Sequence, residues 1–330
     1  MLKKVIFNIY SALCLAILAF ILLIIAVSIY LYLPDKYLDH DRYFIIDKGS
    51  SFKTVTQKLH QEEIIQYPKI FYYTARLVKG YNFKVHHGEY LFTKNSSWQE
   101  IINKINGGQV HLRQLTIAEG LSADSVIKIL NQNQYLSGDI DKSTVKEGWL
   151  LPETYYYHYQ EQRSELITRM QDAMIKTIDE LWEQRDANIL LKNKQEAIIL
   201  ASIVEKETGI AHERPLIASV FVNRLKKGMR LQSDPTIIYS FAFGNVDLER
   251  EIRRSDINNK SAINTYNIYG LPPTPICNPG IDSIKAVLNP PQTDYVYFVA
   301  KGDGSGEHNF SSNITDHNNY VTQYRQSLND

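Results

Sequence analysis

Two carboxylates, Glu205 and Glu207, close the apolar run Ala197-Ile198-Ile199-Leu200-Ala201-Ser202-Ile203-Val204, and they are the residues of this chain best placed for acid–base work. Neighbours on a helix lie three and four positions apart. Glu207 therefore falls in line with Val204, Ile203 and Leu200, whereas Glu205 shares its side with Ser202, Ala201 and Ile198. A carboxylate on the bulkier apolar stripe loses water, and desolvation raises its pKa toward the neutral range in which a general acid operates. Glu207 is the expected acid on this pattern. The structural alternative is a helix-end Glu that caps, pairs with a base or snorkels.

The elements that must position it begin with an apolar segment. After Met1-Leu2-Lys3-Lys4 the chain runs from Val5 to Leu33 without a charged residue, which is long enough to cross a bilayer. The run ends in Tyr30-Leu31-Tyr32-Leu33-Pro34 rather than at a small-residue cleavage site, so it reads as an uncleaved single-pass anchor over 5–33. Lys3 and Lys4 place residues 1–4 in the cytoplasm and the rest across the membrane, with Tyr30, Tyr32 and Tyr37 at the far interface. Lysine plus arginine number 36 and aspartate plus glutamate 36, which argues against a nucleic-acid protein with its basic footprint. Cys14 in the anchor and Cys277 in a distant loop are the only cysteines, so a disulfide framework and a cysteine-rich metal site are excluded.

Residues 41–146 read as small α+β modules built on a repeat. Phe44-Ile45-Ile46-Asp47-Lys48-Gly49-Ser50-Ser51-Phe52, followed by Val55 and Leu59, aligns without gaps to Tyr90-Leu91-Phe92-Thr93-Lys94-Asn95-Ser96-Ser97-Trp98, followed by Ile101 and Ile105. Each copy is a strand, a turn and a helix with paired serines as N-caps. A looser third copy runs from Leu115 to Ser122 and on to Val126 and Leu130. The first copy resembles the glycan-binding LysM module. His86, His87 and Glu89 lack further ligands at metal spacing and read as surface residues.

From Glu147 onward the character changes, and 147–330 reads as a second domain. Glu147-Gly148-Trp149-Leu150-Leu151-Pro152-Glu153-Thr154-Tyr155-Tyr156-Tyr157 is aromatic and broken by Gly and Pro, which suits an extended wall. Helices are expected over 164–185, 194–208 and 212–227, the last with Ile217, Val220, Phe221 and Leu225 on its apolar face. Gln232 to Tyr239, Asn264 to Pro273 and Asn278-Pro279-Gly280 read as loops. Residues 294–300 read as a strand, with a hairpin turn leading to His308-Asn309-Phe310.

Several ordered phrases carry a more specific resemblance. Ser202 to Thr208, Val222-Asn223-Arg224-Leu225 with Gly228 to Pro235, Tyr266 to Pro273, and His308 through His317-Asn318 are similar to the YceG-like family of endolytic murein transglycosylases. The resemblance extends over nearly the whole chain. It implies an α+β fold with an anchor, a small LysM-like module and a mixed α/β catalytic domain whose lysozyme-like helix bears the acid. The family's catalytic Glu precedes a Thr or Ser near the end of an apolar helix, which falls on Glu207 before Thr208. The implied reaction is cleavage of the MurNAc-GlcNAc bond in peptidoglycan without water: Glu207 protonates the leaving oxygen, then takes the proton of the muramoyl C6 hydroxyl as it closes onto C1. Proximity favours a ring closure within one sugar. The resemblance further implies action within nascent strands at the bacterial inner membrane, the catalytic domain on its outer, periplasmic face, beside penicillin-binding proteins.

Glu153 and Asp234 are the other carboxylates in dense motifs, and both are assigned to substrate positioning or loop bracing. Gln232, Tyr239, Asn264, Tyr266, His308 and Phe310 complete the expected groove. The chain has 22 tyrosines against 3 tryptophans, and such amphipathic rings suit stacking on sugars as well as filling sheet faces. His308, His317 and Asp316 do not make a metal set, and the chemistry requires no metal or cofactor. Two alternatives stand beside this one: a hydrolytic muramidase pairing Glu207 with Asp234 or Glu153, and a non-enzymatic scaffold that tethers glycan to the membrane.

Overall fold

The computed structural model describes residues 2–32, 38–80, 83–242 and 250–328. The residues at 33–37, read from sequence as the end of the apolar run and its Tyr37 interface anchor, lie outside the described residues. So does Met1. The chain divides into two compact units that meet between Arg113 and Gln114.

The first unit opens with α1 (Leu2–Tyr32), whose stretch Asn8–Ile29 is the one described helix long and apolar enough to cross a membrane. Such a helix fits a membrane anchor or a signal sequence. Beyond that stretch, Leu31 is buried, and with Val27 it packs against the unit's own core. The body consists of β1 (Arg42–Ile46), α2 (Phe52–Gln61), α3 (Pro68–Lys79), β2 (Gly88–Phe92) and α4 (Trp98–Gly107). β1 and β2 pair antiparallel with Phe44 opposite Tyr90. The aligned copies thus become the two strands of one hairpin-like pair, each followed by its helix, with α3 inserted between them. Ser51 caps α2 by accepting from the Thr54 N–H. Ser97 and Glu100 form a reciprocal capping box on α4. Phe52, Val55 and Leu59 of α2 and Trp98, Ile101 and Ile105 of α4 face one core, as the helical spacing requires. Glu89 corrects the surface reading of its cluster. It is 2% exposed, because Arg113 grips both its carboxylate oxygens at 2.8 Å.

β3 (Arg113–Thr116) pairs with β4 (Thr154–Tyr157), and α5 (Ala123–Gln132) completes the third strand–helix copy, capped by Ser122. This copy, assigned from sequence to the first module, packs with the later residues instead. Ile117, Val126 and Leu130 share a core with Leu150, Tyr155, Tyr157, Leu166 and Met170. A short strand and one helix bury little alone, and here the aromatic residues after Leu151 cover them. α6 (Arg163–Glu183) continues into a second core through Met174 and Ile178.

That second core surrounds α7 (Lys194–Glu207), in which every residue from Ala197 to Val204 is buried. Around it stand α8 (Arg214–Lys226), α9 (Asp234–Ala242), the single turn α10 (Arg254–Ile257) and α11 (Ile281–Leu288). α9 corrects the loop reading of Gln232 to Tyr239, whereas Asn278-Pro279-Gly280 is the expected loop and leads into α11. Pro235 lies in the first turn of α9, where its missing N–H costs nothing, and Gly280 is the N-cap of α11. Asn278 stitches three strands of chain together: its N–H and side-chain amide donate to the Leu121 carbonyl at 2.8 and 2.9 Å, and its Oδ1 accepts from the Leu150 N–H at 3.0 Å. Beside it Cys277 is 1% exposed. Its thiol donates to the Ser202 carbonyl at 3.3 Å.

The chain closes with β5 (Tyr297–Ala300), β6 (His308–Ser311) and α12 (Ile314–Ser327). β5 and β6 form the expected antiparallel hairpin, with Phe298 opposite Phe310. The architecture is mixed α+β as predicted. Among the described residues its strands pair only two by two, so helices rather than a wide sheet hold the site.

Candidate active site

Glu205 and Glu207 differ in their partners rather than in the apolar stripe they occupy. α7 is buried on all sides, so the stripe argument does not separate them. The Glu205 side chain is 5% exposed and lies 3.5 Å from the Arg214 guanidinium. Its Oε2 accepts from the Gly280 N–H at 2.9 Å. Both of its oxygens are thus occupied in bracing α7 against α8 and the start of α11.

Glu207 is the last residue of α7 and keeps a partly exposed edge. Its Oε1 accepts from the Ser233 hydroxyl at 2.5 Å, and no base lies within ion-pair distance among the described residues. Burial pushes its carboxyl from an ordinary 4.5 up to about 7 against the pull of Ser233, while the charge of Asp234 adds to the rise and that of Arg224 opposes it. The negative end of the α7 dipole also disfavours a charge at this position. A carboxyl half-ionised near neutrality can both give and recover a proton.

The Ser233 that holds it is itself fixed. It is 1% exposed, its N–H donates to Thr265 Oγ1 at 2.9 Å, and its carbonyl accepts from Thr236 Oγ1 at 2.6 Å. The residue before it, Gln232, adopts the left-handed conformation with φ +49. That turn, with the Gln232 N–H donating to the Thr265 carbonyl at 3.2 Å, aims Ser233 at α7.

The expected groove residues separate into two groups. Asp234 and Tyr266 stand together at the carboxyl: the Tyr266 hydroxyl donates to Asp234 Oδ1 at 2.6 Å, and Glu207 acts electrostatically on Tyr266. Gln232 is exposed beside them. The others are engaged in bracing. Asn264 is fully buried, its amide donating to the carbonyls of Ile257 and Asn259 at 2.9 and 2.8 Å. Tyr239 is 8% exposed and donates to Glu147 Oε2 at 3.1 Å. Glu153 is exposed and accepts from the Thr154 N–H at 2.9 Å. His308 meets the buried Glu213 through both its N–H, at 2.7 Å, and its ring Nδ1, at 2.8 Å. Phe310 packs against Tyr295 and Phe298 with centroids 5.8 and 6.3 Å apart.

Four further residues, two at Glu207 and two bracing the unit elsewhere, were not among the expected ones. Ser233 lies within the segment Gly228 to Pro235, and its hydroxyl is the available signal. Arg224 sits seven residues after Ile217 on the apolar face of α8, beside Leu225, which packs on the same core, and is 7% exposed. A charge in an apolar register is a legible signal. Glu147 accepts from the Ala123 N–H at 2.9 Å, and burial lifts it to about 7. Glu213 is 3% exposed and has no sequence signal. Among the described residues no three His, Cys, Asp or Glu side chains are grouped to hold a metal ion.

A desolvated helix-end carboxyl held by a hydroxyl, beside a Tyr–Asp pair within an α+β scaffold, is an arrangement suited to acid–base chemistry. The YceG-like family signature matches residues 44–323, and the chain belongs to that family. It is 31% identical over 318 residues to the endolytic murein transglycosylase of Bacillus subtilis strain 168, covering 86% of this chain and 85% of that protein. The enzyme of the same name from Streptococcus pneumoniae strain D39 is 27% identical over 328 residues, of which the match spans 86% of this chain and 58% of the relative. A crystal structure of a YceG-like protein from Listeria monocytogenes shares 28% identity, covers 85% of this chain and 99% of its own, and superposes with a TM-score of 0.49.

Proposed function

We propose that the chain is an endolytic peptidoglycan transglycosylase with Glu207 as its single acid and base. The names borne by the Bacillus and Streptococcus relatives support the activity. The observation that carries the residue assignment is the desolvated carboxyl of Glu207, poised near 7 with only a neutral hydroxyl on its Oε1. With Oε1 occupied by Ser233, Oε2 is the oxygen left to face the glycosidic bond. Protonated Glu207 gives its proton to the leaving oxygen, and the C1–O bond breaks with charge developing at C1. The carboxylate then accepts the proton of the C6 hydroxyl as that oxygen bonds to C1. Water is neither consumed nor released, and the muramoyl end becomes a 1,6-anhydro ring.

Asp234 favours a second reading, because it is near enough to raise the Glu207 pKa and a hydrolase needs a second carboxylate. Its oxygen is held by Tyr266, which suits it to positioning. Digestion of purified glycan strands by the full chain in detergent, with mass analysis, decides between them. Transglycosylation gives fragments one water lighter than the hydrolytic products, and ordinary reducing ends would overturn it.

In this reading α1 anchors the protein in the inner membrane with the N-terminus inside. The first unit is a LysM-like glycan-holding module, and cutting occurs in nascent strands beside the polymerases that extend them. A freely diffusing form that complements a deletion equally well would overturn the role of the anchor.

A further inference from the structure

Arg224 has no place yet in the chemistry. Its guanidinium is buried, and among the described residues no carboxylate lies within ion-pair distance of it. The Nε donates to the Val296 carbonyl at 2.7 Å, Nη1 donates to the Leu231 carbonyl, and the plane lies over the Tyr297 ring at 5.8 Å. A buried cation neutralised only by carbonyls and a ring is costly unless a counter-charge forms near it. The group that acquires charge here during turnover is Glu207.

We propose that Arg224 is a positioning residue of the reaction: it clamps the turn that delivers Ser233 to Glu207, and its positive charge faces the carboxylate that forms once the glycosidic oxygen is protonated. The first part is mechanical. Leu231 precedes the left-handed Gln232, so a guanidinium fastened to its carbonyl fixes where the turn begins and hence where the Ser233 hydroxyl points. The second part is electrostatic. Before proton transfer Glu207 is neutral and Arg224 lacks a counter-ion, and afterwards the two are opposite charges in a largely buried site. The interaction is stronger in the state being formed than in the ground state, which is the condition for lowering a barrier.

The other groups that face this pair do not mimic the effect. Asp234 acts on Glu207 in the opposite direction, and Tyr266 is turned toward Asp234. Tyr297 and His317 stack with centroids 4.9 Å apart on the Arg224 side. Burial, with Arg224 adding to it, holds the His317 ring below its ordinary 6.5, so His317 stays uncharged across the alkaline limb where Glu207 loses its proton.

The proposal rests on the transglycosylase reading, and the pH–rate profile of the full chain on glycan strands tests it. In Arg224→Gln the carboxylate loses its opposing charge, so its proton is held more tightly. The alkaline limb should move up by about one pH unit, the usual scale for losing a nearby opposite charge, while kcat falls at least tenfold with little change in KM. Arg224→Lys keeps the charge but not the fork that spans two carbonyls; it should leave the limb in place and lower kcat. An unmoved limb in a folded Arg224→Gln variant overturns the proposal. If that variant does not fold, Arg224→Lys decides: activity within about twofold of wild type overturns the clamp, and a tenfold loss with an unmoved limb supports it. A wild-type chain that releases no anhydro-ended fragments defeats the transglycosylase reading itself, whatever the variants do.

Discussion

Replacing Glu207 with Gln separates the acid's chemistry from its cost to the fold. Gln keeps the shape and still accepts from Ser233, but it does not titrate. In the folded protein Glu207 holds its proton up to about 7, whereas an ordinary Glu releases it near 4.5. Between those values the native state binds a proton that the unfolded chain has lost. The carboxyl's contribution to stability is therefore complete below about 4.5 and declines as pH rises through 7. The rise from 4.5 to about 7 corresponds to about 3 kcal/mol at 1.36 kcal/mol per pKa unit. At about 2–4 °C per kcal/mol for a unit of this size, Glu207→Gln should melt several degrees above wild type at pH 8 and close to it at pH 4.5. Thermal melts at half-unit pH steps measure the divergence, and digestion of glycan strands by the same samples should show no cleavage. A melting difference that does not change with pH would mean that Glu207 is an ordinary carboxylate, and retained cleavage would remove it from the mechanism.

Glu205→Gln should do the reverse: losing the charge that meets Arg214 and the Gly280 N–H costs about 1–3 kcal/mol, while turnover per folded molecule stays within a few fold of wild type, as paired melts and rate measurements will show. Ser233→Ala removes a hydrogen bond that lowers the Glu207 pKa, so the alkaline limb of the rate profile should rise and kcat should fall about tenfold or more. Leu31→Ala should destabilise the first unit by about 2–5 kcal/mol through the cavity it leaves. Limited proteolysis should then cut before Arg113 while the second unit stays intact, and a chain begun at Asp35, which lacks both Val27 and Leu31, should show the same pattern with its second unit still folded.

Local signals were the legible ones. Ser51, Ser97 and Ser122 announce helix starts because capping depends on a few consecutive residues, and Phe52, Val55 and Leu59 announce a face because helical period is fixed. α9 was hidden because Asp-Pro begins a turn and a helix equally well, and nothing local reveals that Tyr239 will reach Glu147. The boundary at Arg113 was missed for a similar reason: Ile117, Val126 and Leu130 bear the same pattern whichever core they enter. Within the site, Glu207 was visible but the ground for choosing it was not. Its distinction from Glu205 lies in Arg214, Gly280 and Ser233, partners between 9 and 75 positions away in the chain. Asn264 shows the opposite failure, since a polar residue in a dense motif turned out to be spent on the carbonyls of its own loop.

Cys277 gives the native chain a built-in chemical clock. Its thiol lies against the Ser202 carbonyl of α7, and burial pushes its pKa well above the ordinary 9.0, so an alkylating reagent reaches a reactive thiolate only when that packing opens. The labelling rate at Cys277, followed by peptide mass apart from the exposed Cys14, therefore reports how often the packing around α7 comes apart, with no engineered probe. A glycan or inhibitor that tightens the site on the far side of α7 should slow it.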